Sequence, residues 1–375
     1  MGIPTGFYFS CWVVNGKRCE QAKDVSTISR IREKLRPVGL VDLFNHRRIV
    51  MSIRIATFNL ENLDDEVGVK PSLAERIAIM RPQLERVAAD ILCLQEVNSQ
   101  ETTGQRTLAA LEQMLSGTPY ASFHRQTTLT STGEFYVERN LVILSRFPIV
   151  KTSMIRNNQG PQPHYQMVTA IPALDTAKPI SWERPLLYVQ IDLGANRTLH
   201  LINVHLKSKI ATDIPGQKLD NYTWQTISAW AEGSFISSMK RVGQALQARL
   251  LIDDIFDQHG LDTLIAIAGD FNAEADEVPL KAICGAVEET GNPAHTARLL
   301  IPCENNLPDS ARFSLFHLGK GQMLDHIIVS RALLRYFRKA EIHNEALPDE
   351  SGAFRQDVKF PESDHAPVIA EFNLP

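Results

Sequence analysis

Six apolar runs in this chain begin or end on side chains able to do chemistry. Asn59 and Glu61 close IRIATFNLE, and Glu96 closes DILCLQE. His205 closes TLHLINVH, while Asp270 and Asn272 close TLIAIAGDFN. Asp325 and His326 open LDHIIVS, and Ser363-Asp364-His365 stands just before the last run, PVIAEFN. A lone Asp after a strand ordinarily starts a turn; six such endings describe a site. At the period of a strand, Asp270 and Asn272 point to one side while Phe271 goes to the other, into the core. Carboxylates, carboxamides and histidines gathered at one sheet edge repel and lose solvation unless a cation compensates them. Oxygen ligands with no cysteine among them suit Mg²⁺ or Mn²⁺ better than zinc. The chemistry this predicts is metal-assisted attack on a phosphoester. A divalent ion polarises the phosphoryl group, and a carboxylate takes the proton of the attacking water.

The elements that must position these groups are short. The runs at 53–59, 90–96, 140–147, 186–193, 198–205, 263–271, 324–330 and 367–373 are short apolar runs with turn signals between them, and the unbroken stretch from Leu264 to Ala268 is the mark of a strand covered on both faces. LLYVQIDL and TLHLINVH, joined by Gly194-Ala195-Asn196-Arg197, predict a hairpin. Apolar residues at spacings of three and four predict helices over 72–88, 107–115 and 238–256. Many strands with few helices predict an α/β four-layer sandwich, two central sheets packed face to face with helices outside. Residues 152–185, with five prolines, and 208–235, with Tyr222, Trp224, Trp230 and Phe235, stand apart as irregular excursions. Either suits a substrate loop, although the aromatic residues of the second equally suit the packing of an ordinary helix.

Composition narrows the partners. The chain has 375 residues, 44% of them hydrophobic, and five cysteines with no CxxC pair, which predicts neither a disulfide framework nor a zinc site. A reducing, cytoplasmic setting follows by default. No uninterrupted apolar stretch approaches the ~18 residues of a membrane span. Residues 1–50 carry nine Lys/Arg against four Asp/Glu, so the net charge of −4 for the whole chain becomes −9 over residues 51–375. So acidic a body does not hold polyanions by its bulk field, and phosphate binding must be local. The first fifty residues read as an N-terminal arm or a misassigned start ahead of a catalytic domain at 51–375, with a signal peptide a weaker alternative. No obligate protein partner is evident.

Taken in order, TFNLEN, ILCLQEV, NVHLKSK, GDFN, LDHIIVS and SDHAPV resemble the endonuclease/exonuclease/phosphatase superfamily, the deoxyribonuclease I-like enzymes. The resemblance covers residues 51–375. It implies the two-sheet sandwich, and a phosphodiesterase acting by in-line water attack with Mg²⁺ or Mn²⁺. A nucleic-acid substrate is the first expectation. A sphingomyelinase-like or inositol phosphate phosphatase activity is the second, and a catalytically inactive binding module the third. It also implies roles. Glu96, Asn59 and Asp364 would hold the metal, with Glu61 as a second acidic ligand. Asp270 would orient or deprotonate the water and Asn272 would bond the phosphate. His365 would touch the scissile phosphate with its tautomer fixed by Asp325. His205 sets the chain apart from abasic-site endonucleases, which commonly have asparagine there. Lys207 and Lys209 of NVHLKSK, with Arg139 and Asn140, are candidate substrate contacts. Asn98, Asp276, His124 and His164 read as surface or packing residues, and His317 and His326 are unassigned.

Overall fold

A computed structural model describes residues 51–157, 159–351 and 359–375; the arm expected over residues 1–50 lies outside the described residues. Along the chain run β1 (Met51–Leu63), α1 (Leu73–Val87), β2 (Ile91–Val97), α2 (Ala109–Leu115), β3 (His124–Thr127), β4 (Asn140–Ser145), β5 (Ile149–Ile155), β6 (Leu186–Asp192) and β7 (Thr198–His205). After them come α3 (Ile227–His259), β8 (Leu264–Asp270), α4 (Val278–Cys284), β9 (Leu300–Pro302), β10 (Asp325–Ser330), β11 (Phe337–Ile342) and β12 (Val368–Leu374). The strands form two six-stranded sheets, ordered β11-β12-β1-β2-β4-β3 and β9-β10-β8-β7-β6-β5. Each sheet is antiparallel except for its central pair, β1 with β2 and β7 with β8, which are parallel. Both parallel pairs are joined through a helix, α1 in one and α3 in the other, as parallel strands require.

Alternation divides the side chains into three cores. Ile53 and Ile55 of β1 meet Leu199 and Leu201 of β7 and Ala266 and Ala268 of β8 between the sheets. Ala56 and Phe58 point the other way, onto Met80 and Leu84 of α1 and Met114 of α2. Ile202, Val204, Ile265 and Ile267 likewise cover α3 through Ala245, Ile252 and Phe256. The expected four layers are therefore present, helices outside two facing sheets. The central strands are buried on both faces because each face has its own partner, whereas the edge strands β3, β5 and β11 are part exposed.

The predicted hairpin is β6–β7, with Asp192 opposite Thr198. The helix predicted at 238–256 begins eleven residues earlier, at Ile227, where the Thr226 side chain caps it by accepting from Ala229 N at 3.1 Å. Gly233 and Gly243 conceal this in the sequence, since glycine weakens a helical reading. The structure shows why they are there. A Cβ at Gly233 would lie 2.3 Å from Thr212 O, and one at Gly243 2.2 Å from the Trp182 ring. Through these contacts the two excursions pack on α3, around Trp182, Ile214 and Ile236 with Trp224 beside them.

Candidate active site

The polar endings of the apolar runs meet at the carboxyl ends of the two parallel pairs, where open α/β sheets place their ligands. On β1 and β8 the inward parity that buries Ile55 and Ala268 continues to Asn59 and Asp270, and on β7 it reaches His205. β2 would aim Glu96 outward, but Glu96 adopts φ +58° and the pairing of β2 shifts register there. Glu61, Asn62 and Asn272 also have positive φ, at +46°, +50° and +49°. Non-glycine residues held in this region cluster at functional sites. Gly269 has φ +146°, and a Cβ on it would sit 1.9 Å from Val204 O, so the close approach of β7 to β8 demands glycine.

Asp270 is the hub. Its Oδ2 accepts from Asn59 Nδ2 at 3.1 Å and Asn272 Nδ2 at 3.0 Å, and its Oδ1 accepts from Asn272 N at 2.8 Å. Asp270 and Asn272 thus do share a side, but through a tight turn; the strand itself ends at Asp270 while Phe271 enters the outer core. His205 Nε2 lies 3.4 Å from Glu96 Oε1 and 3.3 Å from Asp270 Oδ2. Its Nδ1 is buried without a hydrogen-bond partner, so the proton belongs on Nε2. Burial, together with Arg184 and Arg139, holds this imidazole well below its ordinary pKa.

His365 behaves in the opposite way. Burial alone would lower its pKa, yet the Asp325 and Asp364 carboxylates raise it well above the ordinary histidine value. Its Nδ1 donates to Asp325 Oδ2 at 2.6 Å, leaving Nε2 facing the site, 3.9 Å from Asp364 Oδ1. Ser363 Oγ ties this loop to β1 by donating to Asn59 O at 2.7 Å and accepting from His365 N at 3.1 Å.

Among the described residues one group of ligand atoms lies close enough to hold a cation as it stands, and a second set of carboxylates gathers beside it. Asp270, Asp325 and His365 each bring one within 4.8 Å of the others, but a short hydrogen bond already joins Asp325 to His365. The second group is Glu61, Glu96 and Asp364. Burial and Asp364 push Glu61 up to about 8, and burial, with Glu96 adding, pushes Asp364 up to about 7. Asp364 Oδ1 is buried without a hydrogen-bond partner. An all-oxygen set of carboxylates without a lysine or arginine ion pair among the described residues fits a hard divalent ion.

The flanking candidates divide. Lys207 is half-buried beside His205, and burial lowers its ammonium to about 8. Arg139 is exposed, with its N–H on Asn98 Oδ1 at 2.9 Å. Asn140 makes three hydrogen bonds to the backbone of Tyr136 and Val97, which hold the loop before β4. Lys209 pairs with Glu277 at 2.8 Å. His326 forms a buried pair with Glu304 at 2.5 Å and bonds Ala273 O at 2.9 Å.

Two arginines escaped the sequence reading. Arg76 donates to the carbonyls of Leu60 and Glu61 at 2.8 and 2.9 Å, gripping the end of β1. Its signal was an arginine on the apolar stripe of α1. Arg184 donates to Leu206 O at 3.1 Å, next to His205. The hairpin register foretold this, since strands that pair Asp192 with Thr198 bring residue 184 beside residue 206.

No curated protein matches this chain. A solved structure of truncated TDP2 from Caenorhabditis elegans is 16% identical over 86% of this chain and 98% of that one, with a TM-score of 0.51. An endonuclease/exonuclease/phosphatase family protein from Bacteroides thetaiotaomicron is 15% identical over 87% and 96%, with a TM-score of 0.52. At such identities the likeness is one of fold. The family model described as "Endonuclease/Exonuclease/phosphatase family" matches residues 56–365, from the β1 strand through the last histidine of the site. The chain therefore belongs to the endonuclease/exonuclease/phosphatase family and is a phosphoesterase.

Proposed function

We propose that this protein is a divalent-metal-dependent phosphodiesterase that cleaves nucleic acid by in-line attack of water. The observation that carries the reading is the placement of His205, Asp270 and Asn59, in mutual contact, beside the hydrogen-bonded His365–Asp325 pair at one sheet edge. Glu96, Glu61 and Asp364 would hold Mg²⁺ or Mn²⁺, with Asn59 beside them. When bound, the ion withdraws charge from the phosphoryl oxygens and the leaving oxygen. Asp270, oriented by Asn59 and Asn272, takes the proton of the water. Burial, with Asp325 adding, raises its carboxyl to about 7, the range in which a general base works at neutral pH. His365, its Nδ1 held by Asp325, presents Nε2–H to a phosphoryl oxygen. Asn272 and Arg76 act on geometry, the first at Asp270 and the second through the backbone of Leu60 and Glu61.

The exposed apolar side chains of Leu219, Tyr222, Ile227, Trp230 and Phe235, in the excursion after β7 and on the first turns of α3, favour a second reading. In it the phosphoester sits at a lipid interface. One panel separates the two. Single-stranded and duplex DNA, RNA, sphingomyelin vesicles and soluble inositol polyphosphates are offered at fixed Mg²⁺, with His365→Ala as the blank for contaminating nuclease. His365-dependent cleavage of a polynucleotide is expected. Turnover of lipid or inositol phosphate alone would remove the nuclease reading and leave the fold and the site chemistry standing.

A further inference from the structure

Arg184 has an unusual environment for an arginine. It is only 8% exposed, donates one hydrogen bond, to Leu206 O at 3.1 Å, and forms no ion pair among the described residues. Most of its N–H donors therefore lack a protein acceptor. Glu96, Asp270 and Glu183 act on this guanidinium, yet none lies within ion-pair distance, and a largely buried guanidinium with donors to spare is best completed by an anion. The neighbouring acid does not do so, because Glu183 pairs with Lys240. Two further cations surround the place. Lys207 donates to Ser208 Oγ at 3.0 Å and Ile210 O at 3.2 Å, and neither Lys207 nor Arg139 has an ion-pair partner among the described residues. All three charges act on the His205 imidazole. A body of net −9 thus concentrates cations on one flank of its site.

That flank is not where the reacting phosphate belongs. Arg184 precedes β6 by two residues, and β6 lies two strands from β8, which bears Asp270, and three from β10, which bears Asp325. The strand axes are thus roughly 10 and 15 Å apart, while Arg184 and Asn272 share one acceptor, Leu206 O, each at 3.1 Å, so this flank borders the catalytic group. His365 and Asp325 serve the phosphate under attack, while Arg184 before β6, Lys207 after β7 and Arg139 before β4 act on His205 from other elements.

We propose that Arg184, with Lys207 and Arg139, binds a second phosphate of the substrate, one that is not cleaved and lies next to the scissile one. The planar guanidinium suits two oxygens of a phosphate, and the two flanking cations match its remaining charge. A neighbouring or terminal phosphate of a nucleotide chain supplies this chemistry, and so does a second phosphate on an inositol ring. A phosphocholine headgroup, carrying a cation beside its phosphate, opposes it. The inference rests on the phosphodiesterase reading above and narrows its substrate.

The test compares the dinucleotide TpT with pTpT and TpTp, and an inositol phosphodiester with and without a further ring phosphate, in wild type and Arg184→Gln. Wild type is expected to favour the form with the extra phosphate at least tenfold in kcat/KM. In Arg184→Gln that ratio falls to near one, and Arg184→Lys restores part of it. The arm that shows the preference identifies the source of the phosphate. An unchanged ratio in Arg184→Gln, or a wild type without preference, overturns the proposal. If wild type cleaves neither TpT nor the inositol diester, it is the phosphodiesterase reading that has failed. The pocket is then judged by inorganic phosphate, which should raise the melting temperature of wild type and not of Arg184→Gln. Should Arg184→Gln not fold, Arg139→Gln, on an exposed residue, must lower the same ratio, and its failure to do so counts against the pocket.

Discussion

The two ends of β1 carry similar charge and treat it in opposite ways. Near its start Arg54 pairs with Glu341 at 3.1 Å and Glu371 at 3.4 Å, and its backbone N–H meets Asp90 at 2.8 Å. Lys339, and after it Arg54, draws the Glu341 carboxyl down to about 2. Seven residues further on, Glu61 is raised to about 8, and Asp364 and Asp270 to about 7. No lysine or arginine forms an ion pair with Glu61, Glu96, Asp270 or Asp364 among the described residues. Arg76, the nearest cation to Glu61, directs its donors to main-chain carbonyls. Charge that serves the fold is neutralised within the fold. At the other end no lysine or arginine among the described residues pairs with the carboxylates, and on the reading proposed above a divalent ion supplies the compensation.

The largest effects should follow from removing the groups that face the reaction. Asp270→Asn and His365→Ala are each expected to lower kcat by about 10²–10⁴-fold on any substrate the enzyme accepts, with melting temperatures near wild type. Retained turnover in either variant would show that the crowded end of β1 is not the reactive one. Next comes Glu96→Gln. The Mg²⁺ concentration for half-maximal rate should rise about 100-fold, at least the penalty seen when metal-site partners are removed. A magnesium titration superimposable on wild type would assign the cation to other residues.

The contrast between the ends was half legible in the sequence. Apolar runs stopping at Asn59, His205 and Asp270 announced which strand ends converge, because parity and parallel pairing carry these side chains to the same edge, and the run ending at Glu96 stops beside them. Neither the turn of Glu96 into the site nor the placement of Glu61 could be read, since both depend on positive φ and a register shift that composition does not encode. Arg76 and Arg184 were hidden for another reason. An arginine in a sequence reads as a solvated surface charge, and only tertiary contacts reveal that these two are buried. The opposite end was silent altogether, because Arg54, Lys339, Glu341 and Glu371 come from three strands that meet only in the sheet.

The smallest effects are the most discriminating, because their signs differ between the ends. Glu61 has its folded pKa raised to about 8, above the unfolded value of 4.5. Between those values the folded state binds more protons than the unfolded one, so metal-free protein loses stability as pH rises from about 4.5 to 8. Glu341 has its folded pKa lowered to about 2, so its contribution is present above 4.5 and is lost as pH falls toward 2. In chelator-treated protein at pH 8, Glu61→Gln should therefore raise the melting temperature by about 2–4 °C, the shift that accompanies roughly 1 kcal/mol in a chain of this size. Glu341→Gln should lower it by about 1–3 °C, as loss of a partly exposed ion pair does. Adding Mg²⁺ should then stabilise wild type and Glu341→Gln more than Glu61→Gln, because a cation relieves the repulsion that the glutamine has already removed. Scanning calorimetry of the three proteins with and without Mg²⁺ reads all of these signs. If Glu61→Gln melted below wild type without metal, the carboxylates at the carboxyl end of β1 would be satisfied by the fold after all, and the two ends of the strand would not differ in kind.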